Sequence, residues 1–144
     1  MKVMLIGSGG REHAMAWKIT QSPLCDKLWV APGNPGVAEC AECVDIGVND
    51  TEAIIAFARD NGVKLVVIGP EDPLANGLGD AVRDAGLLCF GPTAEGARIE
   101  GDKAYAKNLM RSVSVPTAEA RVFNDLQMAK DYVLSREHGV AVKA

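Results

Sequence analysis

The stretch Val3-Met4-Leu5-Ile6 followed by Gly7-Ser8-Gly9-Gly10-Arg11-Glu12-His13 decides the fold, because it is typical of a buried strand that turns through glycines into a helix. Glycines at such a turn let backbone N–H groups approach an anion at the positive end of the helix. We therefore expect Gly7, Gly9 and Gly10 to contact a phosphate or carboxylate ligand. The alternative is that these glycines only allow the helix to pack closely on the sheet.

The glycine pattern matches only part of the dinucleotide-binding fingerprint G-x-G-x-x-G. The fingerprint needs a third glycine where this chain has Glu12, whose carboxylate would crowd and repel a pyrophosphate. NAD-binding sites also need an acidic residue at the end of the second strand. Here the second predicted strand continues into Pro32-Gly33-Asn34-Pro35-Gly36. A dehydrogenase domain is therefore disfavoured.

Strand and helix patterns alternate over the first two thirds of the chain. Asp50 is a good N-cap for the second helix, and Gly62 is a good C′ residue for it. This alternation predicts an α/β fold with a doubly wound parallel sheet, whose ligands gather at the carboxyl ends of the strands. The predicted strands cover residues 3–6, 27–31, 44–46, 65–68 and 87–90, and the predicted helices cover residues 12–21, 51–61 and 71–85.

Two adjacent carboxylates, Glu71 and Asp72, follow the predicted fourth strand. They can accept hydrogen bonds from an amine or from ribose hydroxyls, although Asp72 could equally cap a helix that begins at Pro73. Arg11 is a candidate anion clamp beside the glycines, with a solvated arginine as the alternative. His13 could act as a base, but a polar residue in the first helical turn is the favoured interpretation. We expect Arg11, Glu12, Glu71 and Asp72 to bind substrate together with the glycines.

Composition restricts the possible partners. The chain has 144 residues, 48% of them hydrophobic, and a formal net charge of -4. An acidic balance without a cluster of basic residues argues against a nucleic-acid partner. No apolar run approaches the length of a membrane span, and no signal peptide follows Met1. These features predict a cytoplasmic protein without a membrane partner.

The spacing of Cys40 and Cys43 is that of half a zinc site or of a redox motif. A zinc site needs further ligands, yet the two histidines, His13 and His138, are not spaced as partners. We expect the four cysteines to be reduced and mostly structural.

The pattern changes after Thr93. Two helical stretches at residues 94–99 and 102–110 follow one another, and then come a possible strand at 120–123, a helix capped by Asn124 or Asp125, and a strand at 138–144. Because an isolated pair of strands has little stability of its own, this part is expected to be the opening of a second, incomplete domain. The predicted domains are residues 1–101 and 102–144.

Four motifs, taken in this order and spacing, carry a family resemblance. They are Gly7-Ser8-Gly9-Gly10-Arg11-Glu12-His13-Ala14, Ala31-Pro32-Gly33-Asn34-Pro35-Gly36, Val67-Ile68-Gly69-Pro70-Glu71-Asp72-Pro73-Leu74, and Phe90-Gly91-Pro92-Thr93 with Gly101-Asp102-Lys103 beyond it. Over its whole length, the chain resembles the amino-terminal part of the glycinamide ribonucleotide synthetases, which are members of the ATP-grasp superfamily. The resemblance implies a Rossmann-like pre-ATP-grasp domain followed by the opening of an ATP-grasp domain.

The resemblance also implies an activity. Enzymes of this family join glycine to 5-phosphoribosylamine through a glycyl phosphate, giving glycinamide ribonucleotide, ADP and phosphate in purine biosynthesis. ATP is the co-substrate, with Mg²⁺ or Mn²⁺ at its phosphates, and Lys103 and Lys143 resemble the two lysines that reach those phosphates. Neither a catalytic residue nor a metal ligand is expected in this stretch, so the chain alone is expected to be an inactive, monomeric part of a longer ligase. The alternative is a stand-alone nucleotide- or phosphate-binding module.

Overall fold

A parallel sheet forms the centre of the first part of the molecule. The structure is a computed structural model, and it describes residues 1–143. The five strands stand in the order β3-β2-β1-β4-β5, so the strand order reverses between β1 and β4. They are β1 (Lys2–Gly7), β2 (Lys27–Pro32), β3 (Glu42–Cys43), β4 (Leu65–Ile68) and β5 (Leu88–Phe90). The predicted α/β fold with a doubly wound parallel sheet is confirmed.

Hydrophobic side chains cover both faces of this sheet. Met4 and Ile6 of β1 lie in one buried cluster, whereas Val3 and Leu5 lie in a second. Alternate side chains of a strand point to opposite faces, so β1 must be apolar at every position to satisfy both clusters. The continuous apolar runs of β1 and β4 thus result from burial on two sides.

Five helices connect or follow the strands in this part: α1 (Gly10–Thr20), α2 (Thr51–Asp60), α3 (Glu71–Ala75), α4 (Leu78–Asp84) and α5 (Ala94–Gly101). The predicted caps of α2 are present. The Asp50 carboxylate accepts a hydrogen bond from the Ala53 N–H at 3.1 Å, and Gly62 has a positive φ of 68°.

Several predicted boundaries are wrong. The single helix expected to reach residue 85 is interrupted at Gly77, whose φ of 91° is left-handed, so α3 and α4 are separate helices. Asp72 does not cap a helix beginning at Pro73, because α3 begins at Glu71 with Pro70 at its N-cap position. The third strand lies at Glu42–Cys43 instead of residues 44–46, and α1 begins at Gly10 instead of Glu12.

The chain divides into two compact units between Lys103 and Ala104. Helix α6 (Lys103–Ser112) begins at this division, and α7 (Leu126–Leu134) lies in the second unit. Asp125 caps α7 as predicted, its carboxylate accepting a hydrogen bond from the Met128 N–H at 2.8 Å. The strand predicted at residues 120–123 is absent, and so is the one predicted at 138–144 as far as residue 143; Ala144 lies outside the described residues. The assignment of residues 102–144 to an ATP-grasp domain stays a prediction.

Among the residues that the structure describes, no helix is both long enough and apolar enough to cross a bilayer.

Candidate functional site

The carboxyl ends of β1 and β4 form the candidate site. The loops that follow these two strands lie side by side, because the Gly69 N–H donates a hydrogen bond to the Ile6 carbonyl at 3.0 Å. The loop after β2 joins them through a hydrogen bond from the Gly33 N–H to the Gly7 carbonyl at 3.1 Å. In a doubly wound sheet the crevice at the reversal of strand order is where ligands bind, and here that reversal lies between β1 and β4.

Glu12 fills the space between these loops. Its side chain is buried, the residue being only 4% exposed, and its Oε2 accepts a hydrogen bond from the Gly9 N–H at 2.8 Å. A Cβ atom added at Gly7, Gly9 or Gly69 would come within 2.8 Å of the Glu12 side chain, closer than real Cβ contacts. Gly7 and Gly69 are therefore required by the packing of Glu12, whereas a Cβ atom at Gly9 would displace only its terminal Oε2.

Gly10 differs from its neighbours. A Cβ atom at this position would meet no other atom within 4 Å, and Gly10 is the first residue of α1. The packing explanation of the glycines thus accounts for Gly7 and only in part for Gly9, whereas Gly10 borders open space. Contact between these glycines and a substrate stays a prediction, and Gly10 has the room for it.

Arg11 connects the two loops. Its Nε donates to Glu12 Oε1 at 3.0 Å, and one of its terminal nitrogens donates to Glu71 Oε2 at 3.4 Å. The side chain of Arg11 is 56% exposed and that of Glu71 is 46% exposed. An accessible guanidinium therefore stands between a buried carboxylate and an exposed one, at the entrance to the crevice.

Hydrogen bonds keep both Arg11 and Glu71 charged. The pKa of Arg11 is raised, first by its hydrogen bond to Glu12 and then by that to Glu71. The pKa of Glu71 is lowered, first by a hydrogen bond from its own backbone N–H, then by Arg11, with a smaller electrostatic contribution from Lys103. Glu71 is thus a carboxylate at neutral pH, able to accept hydrogen bonds from hydroxyl or amino groups.

The remaining predicted site residues lie as follows. Asp72 is exposed in the first turn of α3, beside Glu71. Lys103 is exposed at the start of α6 in the first unit, and Lys143 is exposed in a segment of the second unit without helix or strand. Contact of either lysine with ATP stays a prediction.

Sequence reasoning missed Asn34. Its side-chain amide donates to the Ser8 carbonyl at 2.8 Å, and its Oδ1 accepts from the Val37 N–H at 2.9 Å. Asn34 thus holds the loop after β2 against the glycine loop after β1. The available signal was the turn Pro32-Gly33-Asn34-Pro35-Gly36, since asparagine side chains commonly bond the backbone in such turns. His13 packs against Gly36, where a Cβ atom would lie 2.7 Å from its Cε1.

Within residues 1–143, no three histidine, cysteine or acidic side chains are grouped so as to hold a metal ion. The four thiols are free, and burial raises the pKa of Cys89. Two cavities of about 450 Å³ are lined by residues outside the loops after β1 and β4.

Residues 1–100 match the family described as phosphoribosylglycinamide synthetase, N domain. The chain belongs to this family. It is 50% identical over 144 residues to a phosphoribosylamine–glycine ligase of Agrobacterium fabrum and 47% identical over 146 aligned positions to one of a Nostoc species. Each match covers all of this chain and 34% of the relative, so the chain spans about a third of the length of these synthetases.

Two solved structures share the fold of this chain. The phosphoribosylamine–glycine ligase of Thermotoga maritima is 26% identical, with a TM-score of 0.65 over 93% of this chain and 30% of that chain. The structure described as glycinamide-RNase-transformylase T of Mycobacterium tuberculosis, 20% identical, has a TM-score of 0.71 over 92% of this chain and 38% of that one, which shows a shared fold. The resemblance to the synthetase family is confirmed.

Proposed function

We propose that this chain is the amino-terminal part of an ATP-dependent ligase that joins glycine to 5-phosphoribosylamine in purine biosynthesis. The observation that carries the proposal is the contact between Arg11 and Glu71, which brings an accessible cation and an accessible carboxylate to one edge of the sheet. The similarity of the whole chain to about a third of the length of ligases of this name supports it.

Phosphoribosylamine presents a phosphate, ribose hydroxyls and an amine. Arg11 and the start of α1 at Gly10 suit the phosphate, because a guanidinium and a helix amino terminus both attract anions. Glu71 and Asp72 suit the hydroxyls or the amine, since carboxylates accept hydrogen bonds from both. In this arrangement the edge binds and orients the nucleophile.

ATP and the divalent cation are placed elsewhere in this proposal. Lys103 and Lys143 would meet the phosphates of ATP, as ammonium groups can follow a phosphate through a reaction. The described residues lack a grouped set of metal ligands, so in this proposal Mg²⁺ or Mn²⁺ would be held by residues outside this stretch. A cytoplasmic monomer remains part of the proposal.

The test uses glycinamide ribonucleotide, the stable product, as the probe. Its titration into isotopically labelled protein should shift the amide signals of Gly9, Gly10, Arg11 and Asp72 more than those of α2. Glu71→Ala should weaken binding by about tenfold to a hundredfold, because one hydrogen bond to a charged partner is worth roughly 1.5–3 kcal/mol.

Glu52→Ala is the matched control, because Glu52 is also an exposed glutamate in the first turn of a helix. It should leave the affinity unchanged. Equal effects of the two substitutions would show that Glu71 acts only through net charge. Binding of ATP at this edge in place of the ribonucleotide would favour the nucleotide-binding module over the ligase.

A further inference from the structure

One N–H at the amino terminus of α1 is bonded to a carboxylate of the protein itself. The N-cap residue Gly9 donates its N–H to the carboxylate of Glu12, three residues further along the same helix. Helix amino termini at this position of doubly wound sheets commonly hold a phosphate of the ligand. Here a protein carboxylate makes the hydrogen bond that such a phosphate would make.

The enclosure of Glu12 involves two loops. Gly7 and Gly9 precede α1, whereas Gly69 follows β4, yet a side chain at any of the three would overlap Glu12. Glu12 is also the one buried charged residue among residues 1–143. Three glycines from both sides of the crevice are thus shaped around one buried anion at the reversal of strand order.

We propose that Glu12 determines the ligand specificity of this edge by occupying the diphosphate position. Its carboxylate takes the space and the Gly9 N–H that a diphosphate would need, so dinucleotides and other diphosphates are excluded from the crevice. Ligands then reach only the outer rim formed by Gly10, Arg11 and Glu71. This deepens the proposed function and rests on it only in assuming that the rim binds the substrate.

The negative charge of Glu12 excludes a diphosphate in addition to the volume of its side chain. Arg11 is the cation that pairs with Glu12, and it already pairs with a second carboxylate, that of Glu71. A diphosphate entering beside Arg11 would face the negative charges of both Glu12 and Glu71. A single phosphate at the rim can meet Arg11 and Gly10 without entering the position of the buried carboxylate.

One substitution should reverse the exclusion. Glu12→Gly completes the G-x-G-x-x-G pattern that begins at Gly7, on a sheet whose strand order reverses beside it. It removes the buried anion and frees the Gly9 N–H for an external one. Glu12→Ala does the same with a residue that favours helix, and Glu12→Gln keeps the volume while removing the charge.

Inorganic pyrophosphate is the probe, since it carries the diphosphate without ribose or base. Titration calorimetry of the folded chain should give dissociation constants at least about tenfold lower for Glu12→Gly and Glu12→Ala than for the unsubstituted chain. Glu12→Gln should gain much less affinity than either small substitution, because it removes the charge while its amide still fills the position and its oxygen can still accept from Gly9. Circular dichroism confirms folding before each titration.

Three results would overturn the proposal. The first is a folded Glu12→Ala chain that gains no affinity for pyrophosphate. The second is an equal gain in Glu12→Gln, which would assign the exclusion to charge alone. The third applies if both small substitutions unfold the chain. Millimolar pyrophosphate should then restore the helical signal in circular dichroism, and its failure to do so would count against the proposal.

A parallel titration with glycinamide ribonucleotide tests the proposed function separately. If the proposed function is wrong, glycinamide ribonucleotide will not bind, and the differences in pyrophosphate affinity between the variants will be unchanged.

Discussion

The two units of the chain differ in how their hydrophobic residues are used. In the first unit, β1 lies between β2 and β4, and all of Met4, Leu5 and Ile6 are completely buried. In the second, α7 has no buried residue, and Leu126, Leu134 and Val142 are largely exposed. Large apolar side chains are therefore buried in the central strands of one unit and exposed in the other. The strand predicted at residues 120–123 of the second unit is absent, as expected where no hydrogen-bonding neighbour strand is available.

Hydrogen exchange should reveal this contrast most strongly. Amides of residues 4–6 should exchange only through global unfolding, whereas those of α7 should exchange through local opening, so protection should differ by at least about 10³-fold. Exchange followed by NMR measures both sets in one sample. Limited trypsin digestion is the independent check: cleavage after Arg121, Lys130 or Arg136 should precede cleavage after Lys64. Equal protection in the two units would contradict the comparison.

The next largest difference is expected from truncating a leucine in each unit. Leu5→Ala should lower the free energy of unfolding by about 2–5 kcal/mol, because it opens a cavity in a fully buried position. Leu134→Ala is the matched control, since this leucine is 83% exposed, and it should change that free energy by no more than about 0.5 kcal/mol. Urea denaturation monitored by circular dichroism measures both. A large loss from Leu134→Ala would mean that the second unit has a core of its own.

The sequence predicted the first unit well, for a physical reason. The central strands β1 and β4 are buried on both faces, so nearly every one of their positions had to be apolar. The caps at Asp50 and Gly62 follow from local backbone chemistry. The break at Gly77 was missed because a glycine within a helical pattern does not by itself show whether the backbone turns left-handed. The prediction of a strand at residues 120–123 was wrong because the apolar pattern does not show whether a neighbouring strand exists to pair with it.

The candidate site was predictable only in part. Parallel topology places the loops after β1 and β4 together, so the proximity of Arg11 and Glu71 follows from the predicted sheet. The inward orientation of Glu12 does not follow from the sequence. A glutamate in the first turn of a helix is ordinarily expected in solvent, and its burial depends on the absence of side chains at Gly9 and at Gly69, which is distant in sequence.

Substitutions at two glycines test how far the tight packing of the first unit extends toward its rim. Gly69→Ala should lower the free energy of unfolding by about 1–3 kcal/mol, because the new methyl group overlaps Glu12. Gly10→Ala is the control, since its position is open, and it should leave the stability unchanged or raise it by up to about 1 kcal/mol. Thermal unfolding compares the two variants. If both substitutions have the same effect, the packing around Glu12 is looser than the contacts indicate.

The smallest expected effect concerns one exposed carboxylate in each unit. The pKa of Glu119 is lowered mainly by its hydrogen bond to Arg136, whereas that of Glu71 is lowered first by its own backbone N–H and only then by Arg11. Arg136→Met should therefore return the pKa of Glu119 most of the way to the ordinary glutamate value of about 4.3, and Arg11→Met should return that of Glu71 less completely. A depressed pKa in the folded state means that each interaction stabilises the fold above about pH 4.3, and that this stabilisation is lost as the pH falls through the pKa of the folded state.

Titration of the side-chain carboxyl carbons by NMR, in both variants and in the unsubstituted chain, measures these pKa changes. If Arg11→Met returned the pKa of Glu71 completely to the ordinary value, the backbone hydrogen bond of Glu71 would contribute nothing to the lowering of that pKa. The pKa of the exposed carboxylate would then be lowered in the same way in both units.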